Sequence, residues 1–303
     1  TLMKHLLYIF NSKYFFLGVV FGLILITIAS SITEFFIKKS NHRLSKIFSD
    51  QKIKETIFFI GNSRSVPFNS KNLENSKKIL NLSQNSMNSF QVENIMKAVK
   101  LKQKNKKIIF IELTSIIDEE IQCQYSIFYN LKFYFGKSDI KKECKVKFFL
   151  EKYFPISKIN NELFYRIIYY YFFPEKDQQW TNNYNMPKEV CKNPKTSHLM
   201  KHFFSENSLK KMFYKANILL DKYSDSKTEI FYFISPVYQR KNYPLDVEKK
   251  FLEKKFKNLI LINTLLNDDF FKNCKMYADT LHLTSDGINN LNKNNIFKIL
   301  KDY

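Results

Sequence analysis

The chain predicts an α/β domain, a mainly parallel sheet with helices on both faces, carried behind one helix of membrane-spanning length. Three observations lead there. Tyr14 to Thr33 is a run of twenty residues without a charge. At 1.5 Å per helical residue it matches a hydrocarbon core of about 30 Å. Beyond residue 55, short apolar β-prone runs alternate with helix-length amphipathic segments, as strand–helix–strand units do. The run Ile108–Leu113 is almost wholly apolar, as expected of a strand buried on both faces.

Composition supports a packed domain. With 45% hydrophobic and 17% aromatic residues, the chain of 303 residues carries enough apolar surface to exclude disorder as its default. The net charge of +21 invites a nucleic-acid reading. That reading is set aside, because the lysines are dispersed and only four arginines occur (Arg43, Arg64, Arg166 and Arg240). Forked arginine donors are the usual readers of bases and phosphates.

Along the chain, residues 1–33 form a membrane anchor, and the alternative is a cleaved signal peptide with small residues at Ala29-Ser30-Ser31. Basic residues lie on both sides of the span, but a short basic segment ahead of a first apolar helix stays inside. The large domain is therefore expected outside the cytoplasm. Residues 34–54 make a juxtamembrane stalk. Residues 55–303 are the folded domain, with an insertion or cap at about 118–204 that holds most of the Tyr/Phe clusters. Strands are expected at Thr56–Ile60, Lys78–Leu82, Ile108–Leu113, Glu229–Ser235 and Leu259–Asn263. Helices are expected at Phe90–Lys104 after an Asn88-Ser89 cap, from Ser205 or Asn207 to Tyr223, at Val247–Lys257 and at Ser285–Leu300.

Two short motifs carry candidate chemistry. Ser63 follows the first strand directly, in IFFIGNSRSVPF, where a strand-to-helix turn presents a hydroxyl at the sheet's carboxyl edge. Gly61 supplies the backbone freedom for that turn. Near the end stands YADTLHLTSDG, with Asp279 three residues before His282. That spacing lets the carboxylate accept the imidazole Nδ1–H and leaves Nε2 free to take a serine proton. His198 and His202 share a helical face, but no further ligand accompanies them, so no metal is expected. Arg64, beside the serine, either binds an anionic substrate group or steadies the turn. Tyr238 either borders the site or packs. The four cysteines, Cys123, Cys144, Cys191 and Cys274, show no metal spacing and allow three full disulfide pairings, none of which the sequence selects.

On these motifs the chain resembles the SGNH (GDSL-type) hydrolase superfamily, a flavodoxin-like three-layer fold, and within it the membrane-anchored members that move acyl groups on cell-surface polymers. Gly61-Asn62-Ser63 corresponds to the family's Gly-Asp-Ser, and Asp279-Thr280-Leu281-His282 to its Asp-x-x-His. Asn81 and Ser86 have the spacing of the second block, which would give the Ser86 amide, with that of Ser63, the oxyanion role. The third block departs: Thr114-Ser115-Ile116-Ile117 contains no asparagine, leaving Thr114, Ser115 or Asn85 as replacements. Arg64 and Asn85 are the candidate substrate contacts.

The resemblance implies a bacterial, single-pass membrane protein with an extracytoplasmic domain and no cofactor. It would act as a serine acyltransferase or esterase on O-acyl groups of envelope polysaccharide or a lipid-linked glycan. The alternative is a degenerate binding or scaffold subunit that partners a polytopic membrane acyltransferase. The partners so expected are membrane lipid through the N-terminal helix and a glycan, not nucleic acid.

Overall fold

The computed structural model describes residues 12–40, 43–48, 53–69, 73, 78–85, 87–116, 142–154, 156–157, 165, 168–169, 171–173, 186–192, 206–238, 258–260 and 262–293. The chain divides into two compact units. One is Thr1–Asp50 with Gln122–Pro174, the other Gln51–Ile121 with Glu175–Tyr303. The segment expected as a cap at 118–204 is thus shared between them.

The first unit contains α1 (Ser12–Lys39), α2 (Arg43–Phe48) and α4 (Lys142–Tyr153). Within α1, Tyr14–Lys39 is long and apolar enough to cross a membrane, and its surface is largely uncovered. Three of its hydroxyls bond within the helix: Thr27 donates to the Leu23 carbonyl, Ser31 to that of Thr27 and Thr33 to that of Ala29, at 2.8–2.9 Å. These polar residues therefore add little cost in hydrocarbon. The expected stalk is helical through Lys39, breaks at Ser40 and resumes at Arg43, where Leu44 and Ile47 are buried.

The second unit is a five-stranded, wholly parallel sheet in the order β2-β1-β3-β4-β5. Its strands are β1 (Ile57–Ile60), β2 (Ile79–Asn81), β3 (Lys107–Glu112), β4 (Thr228–Phe233) and β5 (Leu259–Ile260). Every residue of β1 and β3 is buried, which explains their unbroken apolar sequence. Alternate side chains face opposite layers. On one side α3 (Ser89–Lys102) buries Val92, Ile95, Met96 and Val99. The neighbouring α6 (Glu206–Tyr223) receives the Tyr232 hydroxyl at the Ala216 carbonyl, 2.9 Å away. On the other side Ile57, Phe59, Ile108 and Phe110 join one apolar cluster with residues of α7 (Asp268–Lys272) and α8 (Ser285–Lys293), including Phe270, Ile288 and Leu291. Helices on both faces of a mainly parallel sheet is the architecture the sequence predicts.

Differences from expectation are local. β5 stops at Ile260, and Ile262–Leu265 forms a 3-10 turn instead of continuing the strand. The expected Val247–Lys257 helix lies outside the described residues, as does the final helix beyond Lys293.

β1 has β2 on one side and β3 on the other, so the chain reverses its winding there. Such a switch point opens a crevice beyond the carboxyl ends of the two central strands. The turns after Ile60 and Glu112 bound this crevice.

The start of α3 gives a direct test of local design. The Asn88 side chain accepts from the Gln91 amide at 3.1 Å, and the Gln91 side chain accepts from the Asn88 amide at 2.7 Å, both buried. Removing this reciprocal cap in Asn88→Ala lowers stability by about 1 kcal/mol in denaturant titration.

Candidate functional site

The turn after β1 is shaped by close approach. A Cβ on Gly61 would stand 2.5 Å from the Ser65 Oγ and 2.7 Å from the Glu112 Cβ, so only glycine fits. The next residue, Asn62, has extended backbone angles and caps a 3-10 turn, Ser63–Ser65, by accepting from the Arg64 amide at 3.1 Å. Both ends of the Asn62 side chain are thus used: its oxygen accepts from the turn, and its amide donates to the Thr114 hydroxyl at 2.9 Å.

Beneath the turn lies Glu112, a carboxylate with no solvent exposure at the end of β3. The Arg64 guanidinium pairs with it at 3.3 Å and also donates to the Ser235 carbonyl. The Thr114 hydroxyl donates to the same carboxylate, and the Ser235 amide approaches it at 3.4 Å. Of its two expected roles, Arg64 has the geometry of a residue that steadies the turn. It is buried, and its charge meets that of Glu112.

A second buried staple comes from Asn81 at the end of β2. Its amide nitrogen lies 2.7 Å from the Ser65 carbonyl, 3.1 Å from that of Val66 and 3.0 Å from that of Phe68, while its oxygen accepts from the Ser83 amide at 2.8 Å. The backbone leaving the serine is thus held from the neighbouring strand. Phe68 then stacks on Phe59 in the core, with ring centroids 5.5 Å apart.

The C-terminal motif reaches the same edge on a tight loop. Tyr277 and Leu283 form an antiparallel bridge, and the Ala278 amide donates to the His282 carbonyl at 2.8 Å. The loop is fastened from outside as well, because the Tyr238 amide donates to the Thr280 carbonyl at 3.1 Å and the Met186 amide to that of Tyr277 at 3.0 Å. Tyr238 itself is a packed tyrosine, buried, with its ring centroid 5.4 Å from that of Tyr277. A disulfide, Cys191–Cys274, ties α5 (Lys188–Lys192) to the turn preceding the loop. Cys144, in the other unit, is also disulfide-bonded.

These two constructions bring three of the sequence-derived candidates together. The Ser63 Oγ lies 2.8 Å from the His282 Nε2, and the His282 Nδ1 lies 2.7 Å from the Asp279 Oδ2. The other carboxylate oxygen of Asp279 accepts from the Leu281 and His282 amides at 2.7 and 2.9 Å. Burial works against the Asp279 charge, but the bonds from the His282 ring and these amides outweigh it and hold the carboxyl below its ordinary range. Its side chain is nevertheless 56% exposed, against 18% for His282. A serine whose hydroxyl meets an imidazole that is itself oriented by a carboxylate is the arrangement nucleophilic catalysis needs.

The remaining candidates fare differently. Thr114 and Ser115 are not placed to replace a side-chain oxyanion donor. Both are buried, the Thr114 hydroxyl donating to the Glu112 carboxylate and the Ser115 hydroxyl to its carbonyl at 2.5 Å. Each hydroxyl has one proton, already engaged. Asn85 is half-buried in the turn after β2. Ser86, His198 and His202 lie outside the described residues. Glu112 is what sequence reasoning missed, although a lone acid closing an apolar strand was a visible signal.

No family model matches the chain, and no curated protein matches it. A solved structure from Streptococcus pneumonia, described as a candidate platelet activating factor, is 13% identical over 90% of this chain and 98% of its own, with a TM-score of 0.40.

Two outcomes test this account of the site. Glu112→Ala leaves Arg64 buried without its partner and costs about 3–5 kcal/mol in denaturant unfolding, whereas the double change Arg64→Met/Glu112→Leu recovers most of that loss. The second concerns pH. A carboxyl whose titration is depressed by folding stabilises the fold at neutral pH, and that contribution fades as pH falls through the depressed value. The stability difference between wild type and Asp279→Asn therefore shrinks on acidification below about pH 4.

Proposed function

We propose that the chain is a membrane-anchored serine acyltransferase or esterase of the SGNH type, acting on O-acyl groups of envelope glycans outside the cytoplasm. The observation that carries this reading is the continuous pair of contacts from Ser63 through His282 to Asp279, at 2.8 and 2.7 Å. Its position at the switch point of a parallel sheet is where such folds bind ligands. The disulfide Cys191–Cys274 favours an oxidising compartment, and α1 favours a substrate held near a membrane, such as a polymer or a lipid-linked glycan.

In this mechanism the Ser63 Oγ attacks the acyl carbonyl as the His282 Nε2 takes its proton. Asp279 fixes the tautomer with Nδ1 protonated and favours the imidazolium. The carbonyl oxygen becomes an oxyanion facing the Ser63 amide, with the Ser86 amide as the second expected donor. The tetrahedral adduct collapses, the donor's alkoxide leaves with the proton from Nε2, and the acyl group stays on Ser63. A sugar hydroxyl then gives its proton to the His282 Nε2 and attacks the ester, and as the adduct collapses the acyl group leaves on the sugar while the Ser63 Oγ takes the proton back from Nε2. Water in its place gives hydrolysis.

A second reading, a catalytically silent domain serving a polytopic membrane acyltransferase, is favoured by the engagement of Thr114 and Ser115 with Glu112. Losing one side-chain oxyanion donor lowers a rate by about 10²–10³-fold, which a specialised transferase tolerates and a fast esterase does not.

The two readings separate on a simple acetyl ester such as p-nitrophenyl acetate. The catalytic reading expects slow turnover that falls at least about 10³-fold in Ser63→Ala and in His282→Ala, with folding intact. Asp279→Asn falls by less than the roughly 10⁴-fold seen for a buried triad aspartate, since solvent reaches this carboxylate. Turnover equal in wild type and Ser63→Ala leaves the silent domain as the reading.

A further inference from the structure

We infer that the segment around α4 and Tyr165–Phe173 is a second membrane-contacting element, lying in the headgroup region of the bilayer that α1 crosses, with phospholipid as its partner. The inference rests on the reading of α1 as a membrane-spanning helix.

Two apolar patches in this segment are uncovered. On α4, Val146, Phe149, Leu150 and Tyr153 are 53%, 45%, 42% and 54% exposed. Their spacing of three, four and seven residues puts all four on one helix face. Tyr165, Tyr169, Phe172 and Phe173 form a second exposed aromatic group, at 42–61% exposure. A soluble surface has no reason to keep two such patches in water.

The segment's place along α1 says what covers them. Tyr171 packs edge-on against Phe36 with centroids 5.1 Å apart, and Phe172 lies 6.2 Å from the same ring. The Ile156 amide reaches the Ser30 hydroxyl at 3.4 Å. Ser30 and Phe36 bracket Thr33, the last residue of the uncharged run, so the segment meets α1 at the depth where hydrocarbon gives way to headgroups. Tyrosine concentrates at that level, where its ring lies among the chains and its hydroxyl reaches the headgroups. Lysines in the same helix, Lys145 and Lys147 among them, supply charge for anionic lipid. A cleft of about 480 Å³ runs beside α1, lined by apolar Leu23, Ile26, Phe35, Tyr153 and Phe154 and by charged Glu34 and Lys38, and offers room for a lipid chain with its headgroup.

Photocrosslinking of the full chain in nanodiscs of phosphatidylcholine and phosphatidylglycerol tests this. The photoreactive residue p-benzoylphenylalanine replaces Phe149 or Phe172, with Phe21 in α1 as the reference for the span and Tyr214 on α6 as an exposed aromatic outside the segment. The inference expects phospholipid adducts at Phe21, Phe149 and Phe172, at least tenfold above Tyr214. It also expects the yield at Phe149 to rise with the phosphatidylglycerol share. Adducts at Phe21 but not at Phe149 or Phe172 overturn the inference and leave the span intact. Loss of adducts at Phe21 overturns both. Crosslinks from Phe149 and Phe172 to a second copy of the chain, in place of lipid, also overturn it.

Discussion

Glu112 carries a charge into the dry end of the central strand, and the carboxyl edge of the sheet is arranged around that charge. An ionised carboxylate without solvent needs donors, and it takes them from three separate pieces of chain: Arg64 after β1, Thr114 after β3 and the Ser235 amide after β4. The three loops bordering the crevice thereby acquire fixed positions relative to one another. Arg64 follows the serine directly, so the constraint that anchors the arginine also sets where the Ser63 hydroxyl points. Gly61 belongs to the same arrangement, because only a residue without a Cβ lets the turn approach the Glu112 side chain so closely.

The C-terminal loop is held to this edge by contacts that do not involve the serine. Tyr238 and Met186 hold its backbone, Cys274 is bonded to Cys191, and Asp279 gives one oxygen to the loop's own amides before offering the other to His282. The imidazole is therefore held in one orientation by the loop itself, as the proposed role of His282 as a base requires. The exposure of Asp279 leaves this pair open to solvent.

Much of the architecture was legible because burial writes itself into sequence. Both central strands are covered on two faces and read as unbroken apolar runs, and the α3 cap shows as Asn88 three residues ahead of Gln91. The meeting of Ser63, His282 and Asp279 was legible for a different reason, since short local motifs keep their spacing. The features that escaped depend on contacts between segments far apart in the chain. The partner of Glu112, the third-block hydroxyls turned toward Glu112 rather than toward the crevice, and the choice of Cys191 for Cys274 come from how strands are ordered in space. No periodicity records that. The 3-10 turn after β5 escaped because LILIN continues the strand pattern while the packing does not.

The central claim is that Ser63 is the nucleophile, made so by His282. The most direct measurement is reaction of the full chain with a fluorophosphonate probe, in which the serine oxygen displaces fluoride from phosphorus, combined with mapping of the modified peptide. The account predicts a single adduct on Ser63, absent in Ser63→Ala and formed far more slowly in His282→Ala. Labelling that persists in Ser63→Ala would contradict it.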